Sequence, residues 1–171
     1  MCRAAPSGTI GVEMEDEPIQ RDDSPILICY DATDASRRAI EAAAAVLGPR
    51  RAIVLDIAPP LTAGQAYATF SPLVPPADYE DLNADEALDR ARRGAERARM
   101  AGFEATARGE AAAPTWEAIV SVADDIDAAV IVMGTRGLSG AAELLDGSVS
   151  HDVIRHAGRP VLIVPPPQHG H

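Results

Sequence analysis

The stretch from residue 128 to residue 164 decides the fold. It opens on Ala128-Ala129-Val130-Ile131-Val132-Met133, turns through Gly134-Thr135-Arg136-Gly137, and resumes at Gly147-Ser148-Val149. It closes on Arg159-Pro160-Val161-Leu162-Ile163-Val164. The first and last runs are continuous, apolar and of strand length, the pattern of strands covered on both faces. Between them Val149, Val153 and Ala157 recur at helical spacing, which predicts a helix over 148–158. Strand, glycine turn, helix and strand in that order make a parallel α/β unit.

The same alternation runs outward through the chain. Strands are predicted over 26–30, 52–57, 103–108 (the weakest), 128–133 and 161–164. Helices are predicted over 36–47, 81–100 and 148–158. A further helix has Pro114 at its first position and Trp116, Ile119, Val120 and Ala123 as its core stripe. Asp31-Ala32-Thr33-Asp34 is turn and helix-cap chemistry, and Gly48-Pro49 and Gly102 stop helices. Residues 58–78 hold Pro59, Pro60, Pro72, Pro75 and Pro76 and read as a long loop, of a length that in compact domains is functional or mobile. The expected fold is α/β: a doubly wound, five-stranded parallel sheet of Rossmann-like type, strand order 3-2-1-4-5, with helices on both faces. Ligands of such sheets sit beyond the carboxyl ends of the strands where the order reverses. Here that is between strands 1 and 4, which lead into Asp31 and Gly134.

Charge narrows the chemistry. The 171 residues carry 26 acids and 15 basic residues, for a net charge of −11, and every basic residue is arginine. Without lysine there is no GxxxxGK[ST] phosphate loop and no Schiff-base lysine. The acidity disfavours nucleic acid and a basic membrane-binding patch. No run of 18 apolar residues suggests a membrane span. Alanine supplies 33 residues and aromatics only 4%, so the core must be aliphatic and closely approached. Cys2 and Cys29 make no disulfide scaffold, and Cys29 in an apolar run is a small hydrophobe, consistent with a cytoplasmic protein. Residues 1–23 carry six acids and two arginines and read as an acidic, disordered extension, not a secretion signal. Residues 24–167 form the expected domain, and 168–171 a flexible tail.

On the helix over 81–100, Leu88, Ala91, Ala95 and Ala98 mark the inner face. Asp85, Glu86, Arg90, Arg92, Arg93 and Arg97 mark a solvated face. Trp116 reads as core rather than ligand contact. His151 and His156 are five apart, not the spacing of a helical metal pair, and His169 and His171 lie in the tail. No metal site and no catalytic set is assigned.

The glycines after strand 4 and the Gly147-Ser148 helix start carry the chemistry. Glycines there let the backbone turn sharply and approach a ligand. A Gly-Ser helix start offers free N–H groups, the positive end of the helix dipole and a hydroxyl. Together they form an anion site built from backbone, with the Asp31 carboxylate across the switch point suited to a ribose diol. From spacing alone a second reading stands equally: the glycines turn the chain and Ser148 caps a helix. Residues 131–171 hold three acids and three arginines, so the excess acid lies in residues 1–130.

Met133 through Gly140, Leu144 through Ser150 and Arg159 through Pro165 resemble the universal stress protein family. Its nucleotide-binding members carry G-x2-G-x9-G-[ST], met here at Gly134, Gly137, Gly147 and Ser148. The resemblance covers about residues 24–167 and implies an adenine nucleotide in the cleft: ATP, or AMP or ADP, with or without magnesium. It implies Asp31 at the ribose and the backbone of Ile57 at the adenine edge. It implies Met133 on the cleft floor, with Gly134, Gly137, Gly147, Ser148 and Val149 as the phosphate cradle. Arg136 reaches a phosphate or points to water, with nothing to choose between them. The resemblance also implies a homodimer through Pro160 to Val164, and a stress-sensing or signalling role with an unknown protein partner. The residues themselves offer no placed general base or arginine finger, so at most slow ATP hydrolysis is expected. Two departures stand out. Asp146 replaces an aliphatic residue beside the cradle, and Thr33-Asp34 replaces a glycine-serine turn. Asp146 favours an alternative, the same fold acting as an interaction module without nucleotide. An adenylyl-transferring enzyme is a further alternative, disfavoured by the missing lysine.

Overall fold

Five segments pair in parallel into one sheet, with the strands in the order 3-2-1-4-5 when numbered along the chain. The computed structural model describes residues 23–59, 78–135 and 148–167. Its elements are β1 (Ile26–Cys29), α1 (Asp34–Leu47), β2 (Arg51–Ala58), α2 (Asp78–Met100), β3 (Glu104–Ala111), α3 (Thr115–Asp125), β4 (Val130–Gly134), α4 (Val149–His156) and β5 (Val161–Val164). The expected doubly wound α/β fold and strand order are those observed. The acidic extension, most of the proline-rich loop and the tail lie outside the described residues.

β1 sits at the centre, with Leu27 opposite Ile53 on one side and Ile131 on the other. Its alternate side chains feed two cores. Ile26 and Ile28 join Ala39, Ile40 and Ala43 of α1 and Ala95 and Ala98 of α2. Leu27 joins Ile119 and Val122 of α3 and Val153 of α4. Both faces of the central strands are therefore dry, which is why these segments read as unbroken apolar runs.

Small residues bring α2 onto the sheet. Ala87, Ala91, Ala95 and Ala98 are fully buried, while Leu88 is only half-buried. Three of the four expected inner-face residues, Ala91, Ala95 and Ala98, are buried, and Ala87 takes the place expected of Leu88. A Cβ at Gly109 of β3 would stand 2.2 Å from the backbone nitrogen of Leu88. Backbone meets backbone there, and no rotamer change can relieve the clash. β3 runs on to Ala111, paired with β2 as far as Ala58, beyond the weak strand expected over 103–108.

The remaining boundaries differ in detail. Pro114 is the residue before α3, not its first member. In α3, Ile119, Val122 and Ala123 are buried, and Trp116 and Val120 only half-buried. Trp116 stacks on His156 of α4, ring centroids 4.5 Å apart. It serves as a helix–helix contact rather than a central core residue.

Gly109→Ala is expected to destabilise the protein by roughly 3 kcal/mol, an overpacking cost with no side chain able to yield. Urea unfolding followed by circular dichroism checks this; an unchanged midpoint would contradict the close approach.

Candidate functional site

β1 is shorter than its neighbours. It ends at Cys29, opposite Leu55, while β2 continues to Ala58. β4 likewise runs past its last β1 pair at Val132 to Gly134. A cleft of about 510 Å³ opens where β1 stops, within the range of small-ligand pockets. Its floor is apolar, with Leu55, Ile119 and Met133. Its polar lining includes Asp31, Ser36, Asp56, Thr135, Ser148 and Ser150.

The ladder decides which backbone groups face this opening. The Tyr30 N–H donates to the Leu55 carbonyl at 2.8 Å, and the Ala112 N–H to the Ala58 carbonyl at 3.1 Å. Odd positions of β2 thus turn their N–H and C=O toward β1, and even positions toward β3. Ile57 is the first odd position beyond the end of β1. Its N–H and C=O are directed into the cleft, side by side.

The turn after β1 is closed by its own side chains. Asp31 Oδ1 accepts from the Thr33 N–H at 3.1 Å and the Thr33 hydroxyl at 2.6 Å. Thr33 then caps α1 by accepting from the Ser36 N–H at 3.4 Å. The Ser36 hydroxyl accepts from the Asp31 N–H at 3.4 Å and donates to the Thr33 carbonyl at 3.0 Å. Thr33 thus closes the turn and caps the helix at once. The strain falls on Ala32, at φ 60°, a left-handed conformation that favours glycine.

On the other wall a Cβ at Gly134 would stand 2.2 Å from the Ala35 carbonyl oxygen. This glycine lets α1 settle against the end of β4. Ser148 caps α4, its hydroxyl accepting from the His151 N–H at 3.3 Å and sharing a hydrogen bond with Ser150 at 3.1 Å. α4 therefore presents its N-terminal turn to the cleft.

Two groups in the cleft wall are electrostatically unusual. Asp56 is 3% exposed and is gripped by Arg90 of α2 through two bonds, Nε to Oδ2 at 2.7 Å and Nη2 to Oδ1 at 3.2 Å. Burial raises the Asp56 pKa, while the hydrogen bond and charge of Arg90 hold it down and the Asp31 charge adds to the rise. Burial, with Asp31 nearby, pushes the Cys29 thiol up to about 12. Its thiolate is scarce at neutral pH, so Cys29 is a packing residue and not a nucleophile.

Residues 24–165 match the Universal stress protein family. The chain belongs to that family. Universal stress protein MT2052 of Mycobacterium tuberculosis (strain CDC 1551 / Oshkosh) is 31% identical over 82% of this chain and 47% of its own length. The chain spans about half the length of the mycobacterial relatives it matches. Among solved structures, a universal stress protein in complex with cAMP superposes with a TM-score of 0.59 and 27% identity, covering 82% of this chain and 96% of that one. The universal stress protein from Archaeoglobus fulgidus in complex with dAMP gives 0.52 and 26%, covering 82% and 96%.

Six of the nine residues expected at this universal stress protein's site line the one cleft: Asp31, Ile57, Met133, Gly134, Ser148 and Val149. Arg136, Gly137 and Gly147 lie outside the described residues, as does Asp146. The expected wet face of α2 needs a correction at Arg90. Its side chain is 28% exposed and turned inward, because a carboxylate in a central strand demands a cation. The missed residue is Asp56, and its signal was present: an acid within the apolar run Ile53 to Ala58 is almost never buried unpaired. Among the described residues, no group of three or more His, Cys, Asp or Glu could hold a metal ion.

Ala32→Gly is expected to stabilise by about 1 kcal/mol through relief of the left-handed alanine, raising Tm by about 2–4 °C. Scanning calorimetry reads it, and a lower Tm would remove the strain argument. Arg90→Leu is expected to cost roughly 3 kcal/mol at neutral pH, because it strands a buried carboxylate. Without Arg90 the folded pKa of Asp56 rises further above its unfolded value. A carboxyl raised in this way contributes fully below the unfolded pKa and loses stability as pH rises through the folded one. The gap to wild type therefore narrows on acidification, a trend urea melts at pH 7.5 and 4.5 resolve. A gap that widens toward acid would refute the pairing.

Proposed function

We propose that the cleft binds an adenine nucleotide and that the protein acts as a dimeric, nucleotide-responsive stress sensor or signalling module. The observation that carries the reading is the meeting of unlike chemistries around the end of β1. They are an apolar floor, a carboxylate, a paired backbone N–H and C=O, and a helix start. Each suits one part of a nucleotide. Leu55, Ile119 and Met133 offer a dry surface for a purine. The Ile57 carbonyl and N–H match the donor amine and acceptor nitrogen of the adenine edge. Asp31 takes ribose hydroxyls. The N-terminal turn of α4, with Ser148 and Val149, takes phosphate through the positive end of the helix dipole and backbone N–H groups. Gly134, Gly137 and Gly147 complete the cradle in this reading, and Arg136 flanks it. The relatives solved with cAMP and dAMP support an adenine ligand. The ligand we assign is ATP, with AMP and ADP as lesser forms; magnesium would arrive with the phosphates.

The reading is one of binding, with at most slow hydrolysis, since no side chain in the described cleft is placed as a general base. β5 is the half-buried edge of the sheet, and Pro160 to Val164 would pair there with a second copy across a two-fold axis. We assign the protein to the cytoplasm; among the described residues no helix is long and apolar enough to cross a membrane. Neither nucleic acid nor a membrane is proposed as a partner.

Melting with and without ATP-Mg or AMP tests the assignment. Ligand at 100 times Kd should stabilise by about 2.7 kcal/mol. Ser148→Ala should shrink that ligand-induced shift, whatever the lost cap does to the unliganded Tm. Gly134 is the wrong position to probe, because any side chain there displaces α1. No shift with any adenine nucleotide at millimolar concentration would leave the interaction-module reading in its place.

A further inference from the structure

α2 grips the end of β2 at two points on either side of Ile57. Arg90 holds Asp56 through the two bonds already described, at 2.7 and 3.2 Å. Two turns earlier on the same helix, Asn83 donates from Nδ2 to the Pro59 carbonyl at 2.7 Å. Asn83 is 7% exposed and Asp56 3%, so one partner of each contact is buried. Residues 83 and 90 are seven apart and share one face of α2 with the fully buried Ala87 and Ala91. The far edge of the segment is held by β3, through Ala112 N–H to the Ala58 carbonyl at 3.1 Å. The near edge has no β1 left to pair with. Without α2, the segment from Asp56 to Pro59 would be secured on one edge alone.

We propose that Asn83 and Arg90 are positioning residues that hold the end of β2 so that the Ile57 N–H and C=O meet the base of a bound nucleotide in one register. This rests on the nucleotide reading above and adds what sets its base selectivity. A carbonyl and an N–H side by side match adenine, which offers a donor amine next to an acceptor nitrogen. Hypoxanthine presents the reverse order, an acceptor oxygen next to a donor N–H. A fixed β2 end cannot slide to satisfy both, so the wrong base leaves polar groups unpaired, which is where large discrimination arises. Neither Asn83 nor Arg90 lines the cleft. They act through the backbone of Ile57.

The test is the ratio of Kd for inosine monophosphate to Kd for adenosine monophosphate, measured by calorimetric titration on the full chain. Wild type is compared with Asn83→Ala and with the double variant Asp56→Asn/Arg90→Gln. The double variant removes both charges together, so no lone buried charge is left to unfold the protein. Each is expected to lower the ratio by about fivefold, the loss of one fixed hydrogen bond. A structural role alone would weaken both nucleotides equally and leave the ratio unchanged, and that result overturns the proposal. A wild type that binds both monophosphates equally overturns it too, with nucleotide binding intact. A wild type that binds neither removes the nucleotide reading itself.

Discussion

The early end of β1 is the constraint on which the rest depends. β1 is paired on both sides and buried on both faces, so it can host no polar site along its length. Where it stops, the backbone edges of β2 and β4 lose their partner and become available. The chain leaves β1 for one face of the sheet, while α3 and α4 cover the other. No helix can cover the gap at this reversal, and the cleft forms there. Asp31, the Ile57 backbone and the N-terminal turn of α4 are consequences of that single termination.

Small residues and two polar contacts make the termination usable. The fully buried alanines of α2 and the backbone approach at Gly109 bring that helix against β2 and β3. Only at that distance can Arg90 and Asn83 reach Asp56 and Pro59. On the other side Gly134 does the same for α1, whose first turn carries Ser36 into the cleft wall. The alanine content noted in the composition thus has a geometric meaning. Helices that lie close to a sheet can fix its strand ends with polar side chains from their inner face.

The strands were legible because both faces of the sheet are dry, so continuous apolar runs carried the signal. β5 was read to the residue, while β3 was read short because Thr106, Arg108 and Glu110 sit on an edge and are not apolar. Of the cleft lining, Asp31, Gly134 and Ser148 were legible through turn and cap chemistry, which is local, whereas Met133 entered only through the family resemblance. Asp56 was missed because its partner lies 34 residues away on a helix whose charges all resemble a wet face. Arg90 differs from Arg92 and Arg93 only in the side of the helix it occupies, and the sheet decides which side is inside.

The sequence by itself determined the α/β alternation, the strand order and the turn residues that open the cleft. The alternation and the turns follow from period, propensity and capping within a few turns of chain, and the order from the handedness rule for parallel crossovers. Tertiary structure alone decided which arginine becomes a partner, that Gly134 serves the approach of α1, and that Ile57 turns its peptide groups into the opening. These depend on where one element ends relative to another. Strand register and helix approach are long-range properties, set by the packing of surfaces that meet only when the whole sheet is assembled.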